Sequence, residues 1–128
     1  MDTLIINDGA VRLSINNDEN KVITFYPTDV HFAESFFHLC DLLKEKQDAV
    51  KECKTAKEQM EAMTGFFAFL RSEVDKVFGD GTCDTVFGKR DILAEYIQFF
   101  NGVRPYIAKA RQNEVDRYLT EDDGVMEE

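Results

Sequence analysis

The chain has no tryptophan, only two histidines and two prolines, and three cysteines that form no CxxC pair. Cys40, Cys53 and Cys83 are odd in number, far apart and without a histidine-rich companion cluster. That excludes a disulfide framework and a zinc site, and the three read as buried free thiols. Apolar runs are short, and none approaches the roughly 20 residues that span a bilayer. The start, "MDTLIINDGAV", has no basic stretch before an apolar one, so it does not read as a signal peptide. The expectation is a cytosolic protein.

Basic residues are also in deficit: 15 Lys and Arg stand against 25 Asp and Glu, a formal net charge of -10. Residues 114–128 hold seven acids and one Arg, a net of -6, which leaves -4 for residues 1–113. Such a chain repels nucleic acid rather than binding it.

Phenylalanine is abundant, with eleven copies, and 44% of the 128 residues are hydrophobic. This is enough for one domain with a real core and too short for two. Residues 1–26 read as strands. "TLIIN" (Thr3–Asn7) and "AVRLSIN" (Ala10–Asn16) flank Asp8-Gly9, a two-residue hairpin signal, and "KVITFY" (Lys21–Tyr26) follows the polar turn "NNDEN" as a third strand. Pro27 ends it, and Thr28 or Asp29 can cap a helix whose stripe is Phe32, Phe36, Leu39 and Leu43. Between Gln47 and Gln59 the stripe thins, which points to an αα-hairpin turning there.

A second stripe, Met60, Met63, Phe67, Leu70, Val74 and Val77, alternates 3 and 4, and Gly79 falls where a left-handed C′ residue belongs. Asp91 can cap a third main helix through Leu93, Tyr96, Phe100, Val103 and Ile107. Pro105 should kink or restart it near Arg104. The expected fold is helix-rich α+β: a small N-terminal antiparallel hairpin or meander packed on three main helices. One domain spans 1–118, with 1–26 as sheet and 28–118 helical, and 119–128 is an acidic flexible tail.

The stretch "VFGDGTCDTVFG" (Val77–Gly88) concentrates the glycine chemistry. It fails as a phosphate cradle, because Asp84 stands where the second glycine of a P-loop or the third glycine of a dinucleotide loop belongs. It fails as a calcium loop, because the closing Glu is missing. Cys83 as a nucleophile needs a histidine base, and His31 and His38 both lie in the first helix, where they read as partly buried structural residues. No catalytic, cofactor-binding or metal residues are assigned. The stretch reads as a structural corner: Gly79 ends one helix, Asp80-Gly81 turns, and Thr82 or Asp80 caps a single helical turn that Gly88 ends. Phe78 and Phe87 anchor it on the core.

A helix ending in Phe-Gly, then acid-Gly-Thr, a short gap, Phe-Gly and a further helix resembles a group of small phage and prophage proteins. These come from the tail-morphogenesis region of siphophages of Gram-positive bacteria. The order of "TDVHFAESFFHL" and "MTGFFAFLRSEVDKVFG" agrees with it over roughly residues 3–110. The acidic tail from Thr120 has no counterpart, and "NGVRPYI" interrupts a helix expected to be more continuous. The resemblance implies a non-enzymatic chaperone or minor tail component in the host bacterial cytoplasm or on the virion, with no catalytic residues to carry over. Its partner would be a protein, such as a phage tail component or a host target, or further copies of itself in a homo-oligomer. Phe37, Phe66, Phe69 and Phe99, at the stripe edges, are the candidate protein-contact residues. The alternative is a phage-encoded acidic inhibitor of a host defence protein, acting as a nucleic-acid mimic in the manner of an anti-CRISPR.

Overall fold

The structure, a computed structural model, describes residues 1–114. The expected domain end at 118 and the tail 119–128 lie outside the described residues. The architecture is helix-rich α+β: strands β1 (Val11–Ile15) and β2 (Asp18–Phe25), then helices α1 (Val30–Lys51), α2 (Ala56–Phe78), α3 (Thr82–Phe87) and α4 (Leu93–Glu114).

Of the two turns expected between residues 3 and 26, the second forms a hairpin and the first does not. β1 and β2 pair antiparallel, Val11 opposite Phe25 and Leu13 opposite Ile23, with a register shift between Ser14 and Ile15. The turn is Asn16-Asn17, with φ of 54° and 63°. A tight two-residue hairpin needs positive φ at both positions, and asparagine tolerates it. At Asp8-Gly9 only the glycine has positive φ, at 68°. Thr3–Asn7 therefore does not fold back on β1, and the meander is a two-stranded sheet.

Asp29 caps α1, its Oδ1 accepting from the His31 N–H at 3.0 Å. The αα-hairpin turns between Lys51 and Ala56, within the polar stretch where it was expected. Thr55 caps α2 by accepting from the Glu58 N–H at 3.1 Å, while Glu58 accepts from the Lys54 N–H at 3.2 Å. Two exposed backbone donors are thus satisfied by side chains three and four residues away. α4 departs from expectation at both ends of its reasoning. Asp91 does not cap it, because its carboxylate is engaged elsewhere. Pro105 lies inside α4, which runs from Leu93 to Glu114 without a restart. One lost backbone bond is outweighed by burial of Phe100, Val103 and Ile107 on either side of the proline.

The core is aromatic. Phe25, Phe36, Phe87, Tyr96 and Phe100 are fully buried with Leu39, Leu70, Val74, Val103 and Ile107. Phe78 sits at its hub, with ring centroids 6.0, 5.3, 6.1 and 5.0 Å from those of Phe25, Phe32, Phe36 and Phe99. Phe25 brings β2 into this cluster, which is how a two-stranded sheet too small to stand alone is held.

Candidate functional site

Two places follow from the sequence: the corner 77–88 and the aromatic edges of the helices. The corner begins where α2 ends. The Gly79 N–H closes the last turn on the Asp75 carbonyl at 2.8 Å, with φ 119° and ψ 150°. That is positive φ, but it is not the left-handed helical conformation expected of a C′ residue. It is a region essentially restricted to glycine. The left-handed residue is Gly81, at φ 85° and ψ -1°, and it occupies the N-cap position of α3.

Gly81 has no side chain to offer, and neither Thr82 nor Asp80 takes the capping role. Thr82 is the first helical residue. Its hydroxyl is turned back to donate to the Gly79 carbonyl at 2.7 Å. The cap comes from the preceding helix instead. Asp75 accepts from the Gly81 N–H at 3.3 Å and from the Cys83 N–H at 3.0 Å. A carboxylate at the amino end of α3 satisfies exposed donors and meets the positive end of the helix dipole.

The far side of the corner is held by Arg71, one turn earlier on α2. Its Nη2 donates to the carbonyls of Gly88 at 2.7 Å and Arg90 at 2.8 Å, and its Nε donates to Asp91 at 2.7 Å. Its Nη1 lies 3.4 Å from Asp84. The Tyr96 hydroxyl donates to the same Asp91 oxygen at 3.1 Å. The Tyr96 ring stacks on Phe87, centroids 3.9 Å apart. A planar guanidinium with five donors suits this converging set in a way that a lysine would not.

Cys83 lies at the centre of this arrangement, buried, with its thiol 3.6 Å from the Arg71 carbonyl. Burial, reinforced by the Asp75 carboxylate, pushes its pKa up to about 12. Burial likewise raises the Tyr96 hydroxyl. Both groups stay protonated at neutral pH, so Cys83 is an inert core thiol rather than a nucleophile. Cys40 and Cys53 are half-buried, not fully so. His31 and His38 are exposed, contrary to the partly buried placement read from their phenylalanine-rich surroundings. Among the described residues no group of three or more His, Cys, Asp or Glu is placed to hold a metal ion.

The four candidate contact residues divide. Phe66 and Phe99 are buried in the core, so they are not contact residues. Phe99 packs on Phe78, Phe87 and Phe100. Phe66 lines, with Val50, Met63 and Leu93, a small apolar recess of about 130 Å³. Phe37 and Phe69 are 40% and 38% exposed. Phe37 borders a surface groove of about 430 Å³ whose other walls include Val30, Glu34, His38, Asp41 and Arg111. Among the described residues Arg111 Nη1 is buried there with no hydrogen-bond partner.

Sequence reasoning missed Arg71 and Asp75, and it read Asp91 as a helix cap and Tyr96 as a stripe residue rather than as members of the corner. The available signal was weak: Arg71 and Asp75 are four apart on α2 and so project from one face toward the loop. No curated protein and no solved structure matches the chain. One family does, over residues 19–122, which takes in β2 but for its first residue, all four helices and the whole corner. The chain belongs to that family, DUF6673, a family of unknown function.

Proposed function

We propose that this chain is a non-enzymatic phage or prophage protein that acts in the host bacterial cytoplasm through protein–protein contacts in tail assembly, as a chaperone or a minor tail component. The observation that carries the contact reading is the groove on α1. It presents a half-exposed aromatic, Phe37, and an exposed Val30, with Arg111 on its wall. Aromatic and arginine side chains are the ones that protein interfaces favour at their centres. The tail-assembly part rests on the resemblance of "VFGDGTCDTVFG" and the flanking helices to siphophage tail-region proteins.

In this reading the groove covers an apolar segment of a tail protein and releases it when that protein polymerises. A net charge of -10 keeps the chaperone itself from aggregating. The corner's polar groups are occupied in holding α2, α3 and α4 together, which leaves the outer helix surface for recognition. The test is co-purification of the tagged chain with the tail-tube or tape-measure protein of the same phage. Retention of one of them supports the proposal, and failure to bind any virion or tail-precursor protein sinks it.

A further inference from the structure

Residues 1–10 are exposed throughout, and Leu4, Ile5 and Ile6 are 83%, 88% and 76% exposed. Three consecutive aliphatic side chains left in water are not an ordinary monomer surface. The segment "TLIIN" has strong strand character, yet it pairs with nothing among the described residues. The sheet is incomplete in a matching way. It has two strands, and β2 is the one that packs on α2 and α3. Among the described residues the far edge of β1 therefore carries unpaired backbone donors and acceptors.

The segment does not close on its own β1. Asp8-Gly9 lacks the two positive φ values of a tight hairpin, and the Asn7 and Asp8 side chains instead accept from the Gly9 and Ala10 N–H groups at 3.1 and 3.0 Å. The side-chain pattern nevertheless fits that edge. Along β1, half-buried Val11, Leu13 and Ile15 alternate with exposed Arg12 and Ser14. A strand added in phase would place Leu4 and Ile6 beside the first set, with Thr3, Ile5 and Asn7 on the opposite face. The charges fit as well: Asp2 and Asp8 bracket the segment, and Arg12 is the one charge on β1.

We propose that Thr3–Asn7 of one copy pairs with the free edge of β1 in a second copy, and that the exchange is reciprocal and builds a homodimer. Each copy then has a three-stranded sheet whose third strand comes from its partner. The segment lies before residue 19, outside the stretch matched to the family. The proposal stands independently of the tail-assembly reading.

The test is light scattering of the full chain from micromolar to millimolar concentration, with hydrogen exchange on the same samples. The expected mass is twice 14.7 kDa at the high end, with protection of residues 4–6 and 11–15 rising with concentration. The double variant L4D/I6D should keep the circular dichroism spectrum of the wild type while its dimer dissociation constant rises at least about a hundredfold. A wild-type mass of 14.7 kDa at millimolar concentration overturns the proposal. So does an undiminished dimer in L4D/I6D, or protection of residues 4–6 that does not depend on concentration, which would mean pairing within one chain.

Discussion

Replacing Arg71 with leucine should unfasten the corner without touching the hydrophobic core. The side chain is 22% exposed and donates to two carbonyls, Gly88 and Arg90, besides its ion pair with Asp91. Hydrogen bonds from a charged donor contribute about 1.5–3 kcal/mol each when well shielded. Here Arg90 and Asp91 are exposed, so water recovers part of the loss. The carbonyl bonds then count for about 1 kcal/mol each, and the Asp91 pair for up to about 1. The Asp84 contact, at 3.4 Å to a carboxylate 69% exposed, adds nothing measurable. The expected loss for R71L is about 2–3 kcal/mol. For a domain of this size that is a fall of about 10 °C in melting temperature. Lysine supplies one point charge in place of a fork, so R71K should recover about half. Urea unfolding followed by far-ultraviolet circular dichroism gives both values. A loss in R71L of less than about 0.5 kcal/mol, the size of an ordinary surface change, would refute the account of the corner.

Gly79→Ala should cost about 1–3 kcal/mol from backbone strain alone, because an added Cβ meets nothing closer than the Thr82 hydroxyl at 4.0 Å; unchanged urea stability would contradict the positive φ. Asp75→Ala removes the cap of α3 and should cost about 1–2 kcal/mol in the same assay, while Asp75→Asn, which keeps an acceptor oxygen, should cost less. Stability should also fall at alkaline pH. The Cys83 thiol, ordinarily at 9.0, sits at about 12 in the fold, so its contribution is complete below pH 9 and is lost as the unfolded chain ionises above it. The slope is about 1.4 kcal/mol per pH unit up to about pH 12, and Tyr96 steepens it from its ordinary 10.0 upward. In Cys83→Ala the decline from pH 9 to 10 should shrink to the part that Cys40, whose thiol burial also raises, contributes; an identical pH profile in that variant would show that the Cys83 thiol is not the cause.

The elements that were legible in the sequence are those whose pattern is local. The stripes of α1, α2 and α4 announce helices because burial repeats every three or four residues. The break between Lys51 and Ala56 is legible because the apolar face stops. The two phenylalanines of Val-Phe-Gly were readable as anchors, and both lie in the aromatic core. The hairpin turning in the polar stretch after Ile15 was legible, whereas Asp8-Gly9 gave a false signal, because Asp-Gly and Asn-Asn are both turn dipeptides and the choice depends on which strand can reach Phe25's partners in the core. What fixes the corner was not legible. Arg71 and Asp75 look like members of a solvated charged face, alternating with other charges along α2. Their role depends on α3 and Asp91 arriving opposite them, 8 to 20 residues later, which is a tertiary fact. The same competition removed Asp91 from its expected capping role, since its carboxylate serves Arg71 and Tyr96. Surface exposure was half legible: Phe37 and Phe69 lie outside, but Phe66 and Phe99, with the same stripe-edge spacing, are covered by neighbours that one helix's pattern does not reveal.

The central claim is that the corner holds the fold while recognition belongs to the outer surface of α1. The most direct test compares two variants, R71K and Phe37→Asp, in affinity for the tail-tube or tape-measure partner of the proposed function and in melting temperature. Phe37→Asp is expected to lower affinity at least about tenfold with little change in melting temperature, since the ring is already 40% exposed. R71K is expected to lower melting temperature and leave affinity unchanged in the folded fraction. The reverse pattern, binding lost in R71K and kept in Phe37→Asp, would contradict the account.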